Sequence, residues 1–123
     1  MLEDDSALPF RDQKLGELQS LLGGNRARKF AYARELSKDK TGMRNILLLW
    51  LSFWRDVLWR ASGAAVPLSN LDREQEVEAL ARTLGLEKAR HLVGSLDAAV
   101  QRLESNVNAR LLAEVLLLDL PRA

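Results

Sequence analysis

The sequence predicts an all-α fold, an antiparallel bundle of five to six helices. Three observations carry that expectation. Apolar residues recur at helical spacing through most of the 123-residue chain. The three prolines and seven glycines fall mainly between those stretches, where a helical protein breaks. No segment combines sustained period-two alternation with the β-branched residues of a strand.

The elements follow in order. Pro9 stands in the first turn of a helix running to about Leu22, where its missing N–H is harmless. Leu15, Leu18, Leu21 and Leu22 give that helix an apolar stripe, and Gly23-Gly24 stops it. A second helix spans about Arg26 to Ser37, with Phe30, Ala33 and Leu36 on one side. The third runs from about Asp39 to Ser62, closed by Gly63 as a C-cap and by Pro67 beyond it. In the fourth, Asn70 or Asp72 caps the start, Glu74 and Glu76 suit the first turns, and Gly85 ends the helix. Its buried stripe is Val77, Leu80, Ala81 and Leu84. A fifth helix occupies about Glu87 to Ser105 on Leu92, Leu96, Val100 and Leu103. Asn106 or Asn108 caps the last one, which ends at Pro121.

Composition narrows the function. At 47% hydrophobic and 28% charged residues, the chain is that of a folded domain, not a disordered one. A net charge of +1 sets up no global field toward nucleic acid. The absence of cysteine removes disulfides, thiolate nucleophiles and most zinc sites, and fits a reducing cytoplasm. The opening MLEDDSALPF lacks the basic-then-apolar order of a signal peptide, and ILLLWLSFW (46–54) is too short to span a bilayer. A cytoplasmic location is expected. There is no phosphate-cradling G-x-x-x-x-G-K-[ST] and no G-x-G-x-x-G after a strand. The single His91 has no positioned nucleophile or orienting acid nearby in sequence, so it reads as a partly exposed packing residue. No catalytic residue, metal ligand, cofactor or small-molecule ligand is expected. The chain does not read as an enzyme.

Three features stand out. The third helix holds Trp50, Phe53, Trp54 and Trp59, which read as core because leucines surround them, rather than as a base-stacking platform. Within it, Arg55 and Asp56 are charges that need partners, and Asp56 and Arg60 have favourable i,i+4 spacing. Local charge is uneven: residues 1–25 carry a net −3 and residues 26–44 a net +5, beginning with Arg26, Arg28 and Lys29. That basic cluster is a candidate weak DNA contact, set against a solvated helix face. The final helix is apolar on three sides, with Leu111, Val115 and Leu118 on one, Leu112 and Leu116 on a second, and Leu117 and Leu120 on a third. Such a helix must be covered from several directions. Arg110 and Glu114, at i,i+4, read as a structural clamp on it.

FAYARELSKD (30–39), WRDVL (54–58), SNLD (69–72) and NVNARLLAEVLLLDLP (106–121) occur here in one order. In that order they resemble the C-terminal collar domains of bacterial DNA polymerase III clamp loader subunits, delta-prime foremost, with gamma/tau the close alternative. The most specific part is N-x-N-x-R-L-x-x-E, here Asn106, Asn108, Arg110, Leu111 and Glu114. The end just after the last helix also favours delta-prime. The resemblance covers residues 26–121 as the collar domain, and residues 1–25 read as a connector or the end of a preceding domain, helical in part. It implies a helical bundle that joins the collars of gamma/tau and delta in a closed ring, an assembly part with no nucleotide site of its own. DNA would be met indirectly or weakly. Candidate interface or collar-structural residues are Trp54, Arg55, Asp56, Asn106, Asn108, Arg110, Leu112, Glu114, Leu116 and Leu117. In particular, Leu112, Leu116 and Leu117 are expected to divide between core and subunit interface. The other function class open at this point is a small helical nucleic-acid-binding module using residues 26–44.

Overall fold

The computed structural model describes residues 2–105 and 107–121. Among them are five helices, one 3₁₀ turn and no strand. The helices are α1 (Leu2–Leu22), α2 (Arg26–Leu36), α3 (Lys40–Ala61), α4 (Glu74–Leu103) and α5 (Ala109–Leu118), and the 3₁₀ turn is Leu71–Arg73. The fold is an all-α bundle. α3 and α4 form its most extensive pair, α1 packs on α3, and α5 closes the bundle by packing on α2 and α4.

α3 is the centre because it carries the largest apolar side chains. Met43, Leu47, Trp50, Phe53, Trp54 and Val57 are fully buried, and leucines of α1, α4 and α5 join them in one core. Leu15, Leu18, Leu21 and Leu22 of α1 belong to that same cluster. Large aromatics remove the most apolar area from water per residue, so they take the middle of the bundle.

Several boundaries differ from expectation, each for a local reason. Pro9 lies inside α1, which starts at Leu2, rather than in its first turn. Proline's fixed φ is compatible with a helix, and its cost is one missing bond to the carbonyl four residues earlier. Phe30 is exposed, while Lys29, Ala33 and Leu36 form the buried side of α2, so the packing stripe is rotated from the expected one. The expected fourth and fifth helices are two arms of α4, residues 74–84 and 86–103, meeting at a sharp kink. Gly85 makes the break, with φ 80° and ψ 174°, a conformation that glycine adopts without steric cost. Neither Asn70 nor Asp72 caps α4: Arg73 occupies the N-cap position and offers no side-chain bond. Both side chains are engaged elsewhere, as shown below.

Asn106 lies outside the described residues. Asn108 caps α5, its Oδ1 accepting the backbone N–H of Leu111 at 3.1 Å. Asn108→Ala is expected to lower stability by about 1 kcal/mol in thermal or urea unfolding. No measurable loss would remove this cap from the account.

Candidate functional site

Two arrangements organise the chemistry-bearing residues: a polar latch around Asp56, and the outer face of α5.

Asp56 lies on the aromatic helix α3 and is only 1% exposed. A carboxylate there is tolerable only with its oxygens fully engaged. They accept the backbone N–H of Ser69 at 2.9 Å, the backbone N–H of Asn70 at 2.8 Å, and the side-chain amide of Asn70 at 2.8 Å. The Asn70 amide also donates to the Ser52 hydroxyl at 3.3 Å, and its Oδ1 accepts from Arg11 of α1. Arg11 in turn forks onto both oxygens of Asp72, at 2.8 and 3.0 Å. Next to it, Arg73 joins Asp12 at 2.9 Å and Glu76 at 2.6 Å. WRDVL and SNLD, distant in sequence, therefore meet, and α1 is fastened to SNLD through Arg11.

This explains the absent Asp56–Arg60 pair. Arg60 faces Glu74 at 3.5 Å and Glu78 at 3.8 Å instead. The buried N–H of Asn70 would be stranded without Asp56, and it outcompetes a side chain with solvent-facing alternatives. The Arg11 guanidinium beside Asp72 holds its carboxyl below the usual carboxylate range. Burial opposes the charge on Arg73, yet hydrogen bonds to Asp12 and Glu76 raise its pKa.

A smaller network holds α2. Burial pushes the phenol of Tyr32 up, reinforced by its hydrogen bond to Glu17. Burial disfavours the Glu17 charge, but hydrogen bonds from Tyr32, Gln13 and Lys14 outweigh it and lower the pKa. Tyr32 stacks on Trp50, with ring centres 5.9 Å apart, and the Trp50 indole N–H donates to the Lys14 carbonyl at 3.0 Å. Phe53 and Trp54 meet edge to face at 5.7 Å. Trp50, Phe53 and Trp54 are fully buried in the core, and only Trp59 of the four aromatics is exposed. Arg55 is exposed on α3.

The three faces of α5 have distinct fates. Ala113, Leu116 and Leu117, with Leu120 just beyond the helix, are buried in the chain's own core, and Leu112 is half-buried. Leu111, Val115 and Leu118 are 58%, 57% and 42% exposed and line one side. Arg110 and Glu114 form the expected i,i+4 pair at 3.3 Å. The exposed stripe was visible in the sequence as one face of an all-round apolar helix. Which of the three faces stays uncovered depends on how α2 and α4 pack, and spacing alone does not give that.

His91 also has a partner that sequence distance concealed. Its Nε2 lies 2.6 Å from Asp119 Oδ2, at the C-terminal end of α5, and the Ser95 hydroxyl donates to the same oxygen at 3.3 Å. Serine, histidine and aspartate thus meet, but with the acid in the middle. The serine touches the carboxylate rather than the imidazole, so the imidazole is not placed to remove its proton. The cluster ties α5 to the second arm of α4.

On α2, Arg26 and Arg28 are exposed, whereas Lys29 is buried and lines a cleft with Leu118 and Leu120. Arg26 lines that cleft beside Lys29, whereas Arg28 donates to the Ser20 hydroxyl at 2.7 Å. Helical spacing sends Lys29 to the packing side with Ala33 and Leu36.

Residues 11–122 match the family model for the DNA polymerase III delta subunit, C terminal. The chain belongs to this family. It is a C-terminal domain of the DNA polymerase III clamp loader. No curated protein matches it, and no solved structure does. The matched region takes in both sides of the Asp56 latch and all of α5, so the two arrangements belong to the clamp loader domain itself. No helix among the described residues is long and apolar enough to cross a membrane.

Proposed function

We propose that this clamp loader domain is a collar domain: it holds its subunit, delta-prime, in the ring of clamp loader subunits and performs no chemistry of its own. The observation that carries the reading is the exposed stripe of Leu111, Val115 and Leu118 on a helix whose other apolar side chains are buried or half-buried. Contiguous exposed apolar side chains on a folded domain mark a surface that another protein covers. The partners are the collar domains of gamma/tau and delta in the cytoplasm. Residues 1–25 lead in from a preceding domain. The motif order, ending in N-x-N-x-R-L-x-x-E at residues 106–114, supports delta-prime over gamma/tau.

The latch serves the same role at one remove. By fixing the 62–70 loop and α1 to α3, it presents α5 on a rigid body, which limits the ordering cost of assembly.

Light scattering after size exclusion tests the proposal, on the chain alone and mixed with its cognate gamma/tau collar domain. A mixed complex of defined mass is the expected result. Separate elution of the two at concentrations of tens of micromolar, with the delta collar also present, would count against it.

A further inference from the structure

Lys29 is only 9% exposed, on the packing side of α2 with Ala33 and Leu36. A cation so far from water costs free energy and is normally held by a carboxylate. Among the described residues Lys29 has no ion pair and its ammonium no hydrogen-bond partner. Lys14 and Lys38, both more exposed, do pair, with Glu17 at 3.3 Å and Glu35 at 2.9 Å.

The Lys29 side chain lines the cleft where α2 meets α5, with Gly24, Asn25, Arg26, Leu118 and Leu120. Positive charge gathers there. Arg26 is exposed and has no ion pair among the described residues. The first N–H groups of α2 have no carbonyl within the helix, and the Asn25 cap engages that of Arg28. The helix start adds the positive end of its dipole, and no acid stands in its first turn. Asp119, between the two leucines in sequence, is engaged by His91 and Ser95 instead. Leu118, 42% exposed, belongs both to this cleft and to the α5 stripe, so the two are continuous.

We infer that the cleft takes an aspartate or glutamate side chain of the neighbouring collar domain, seated between Lys29, Arg26 and the start of α2. The inference rests on the collar reading of α5 and adds what the neighbour presents: a carboxylate at the edge of its apolar patch. The composition of the cleft favours a protein side chain over a free inorganic anion. The methylenes of an acidic side chain lie against Leu118 and Leu120 while its carboxylate meets the ammonium, whereas a bare anion gains nothing from leucine. Lysine is kept here at a cost to the isolated domain, as residues that serve a partner often are.

The test is titration calorimetry of the whole chain with the cognate gamma/tau and delta collar domains, each in turn, beside thermal unfolding of the chain alone. Lys29→Met keeps the buried stem and removes the charge. Its melting temperature should stay level or rise. Its affinity for the neighbour should fall about thirtyfold or more. Arg26→Ala, at the rim, should cost about twofold to fivefold, and Arg82→Ala, an exposed cation on α4, nothing. Among variants of the neighbour with one acid changed to its amide, one should weaken binding to the wild-type chain and leave binding to Lys29→Met unchanged. If the wild-type chain binds neither collar domain, the collar reading fails and this inference with it. If it binds and Lys29→Met binds equally well, or no amide variant couples to Lys29, the cleft assignment alone is overturned. A clear fall in the melting temperature of Lys29→Met also overturns it, because the ammonium would then have its partner within the chain. So does a melting temperature raised by sulfate over chloride at equal ionic strength, if Lys29→Met abolishes that rise without changing assembly.

Discussion

Asp56→Ala is expected to lower the unfolding free energy by about 3 kcal/mol or more, because it takes the acceptor from both buried donors of Asn70, its backbone N–H and its side-chain amide. The carboxylate receives the backbone N–H groups of Ser69 and Asn70 and the Asn70 amide, all within 2.9 Å. Ser69 is exposed and water can reach its N–H, but Asn70 is only 3% exposed and has no such substitute. A loss of that size is a large share of the 5–15 kcal/mol or so that holds a domain together. Urea unfolding followed by circular dichroism measures it. Asp56→Asn separates geometry from charge: an asparagine keeps one accepting oxygen but turns an N–H toward donors, so it should lose nearly as much. Hydrogen exchange adds a local reading, since the Ser69 and Asn70 amides should exchange faster while those of α5 change only with global unfolding. A loss below about 0.5 kcal/mol in Asp56→Ala would mean that the latch is incidental.

The same residues show how far the sequence could be read. Leucine and aromatic spacing gave the helices and most of the core, because burial of a stripe depends on neighbours three and four positions away. Gly63 and Gly85 were legible as breaks for a similar reason: both adopt positive φ, and that preference is local. The latch was not legible as a contact. Asp56 and Asn70 are 14 residues apart and Arg11 is 59 from Asn70, and nothing in local spacing pairs them. The i,i+4 rule offered Arg60 to Asp56, but a weak local preference lost to backbone donors that fold brings in. His91 and Asp119 were hidden likewise, 28 residues apart. Lys29 and Phe30 exchanged their expected sides because α2 has cations and apolar residues all round, leaving its orientation to be set by α5 and α1. The apolar excess of α5 was plain in the sequence, whereas the choice of uncovered face belongs to tertiary packing.

That choice makes the sharpest contrast available on one helix. Leu111 and Leu116 are five positions apart on α5, yet one is 58% exposed and the other 4%. Leu116→Asp removes a buried leucine from the core and puts a carboxylate in its place with no donor arranged for it. The expected cost is about 4 kcal/mol or more, enough to leave much of the chain unfolded. Leu111→Asp puts the same residue into solvent in the first turn of the helix, where a negative charge is welcome, so stability should stay within about 0.5 kcal/mol. If the stripe of Leu111, Val115 and Leu118 is the surface that a neighbouring collar domain covers, Leu111→Asp should instead weaken assembly by about thirtyfold, the size of a buried interface residue worth about 2 kcal/mol. Circular dichroism reads the fold and light scattering on the mixture with the gamma/tau collar reads assembly. A folded Leu111→Asp variant that still assembles at wild-type affinity would show that the partner lies elsewhere, and α5 would then need another explanation for its third apolar face. Loss of fold in both variants would instead show that Leu111 supports the bundle despite its exposure, because an interface role predicts that only Leu116→Asp unfolds.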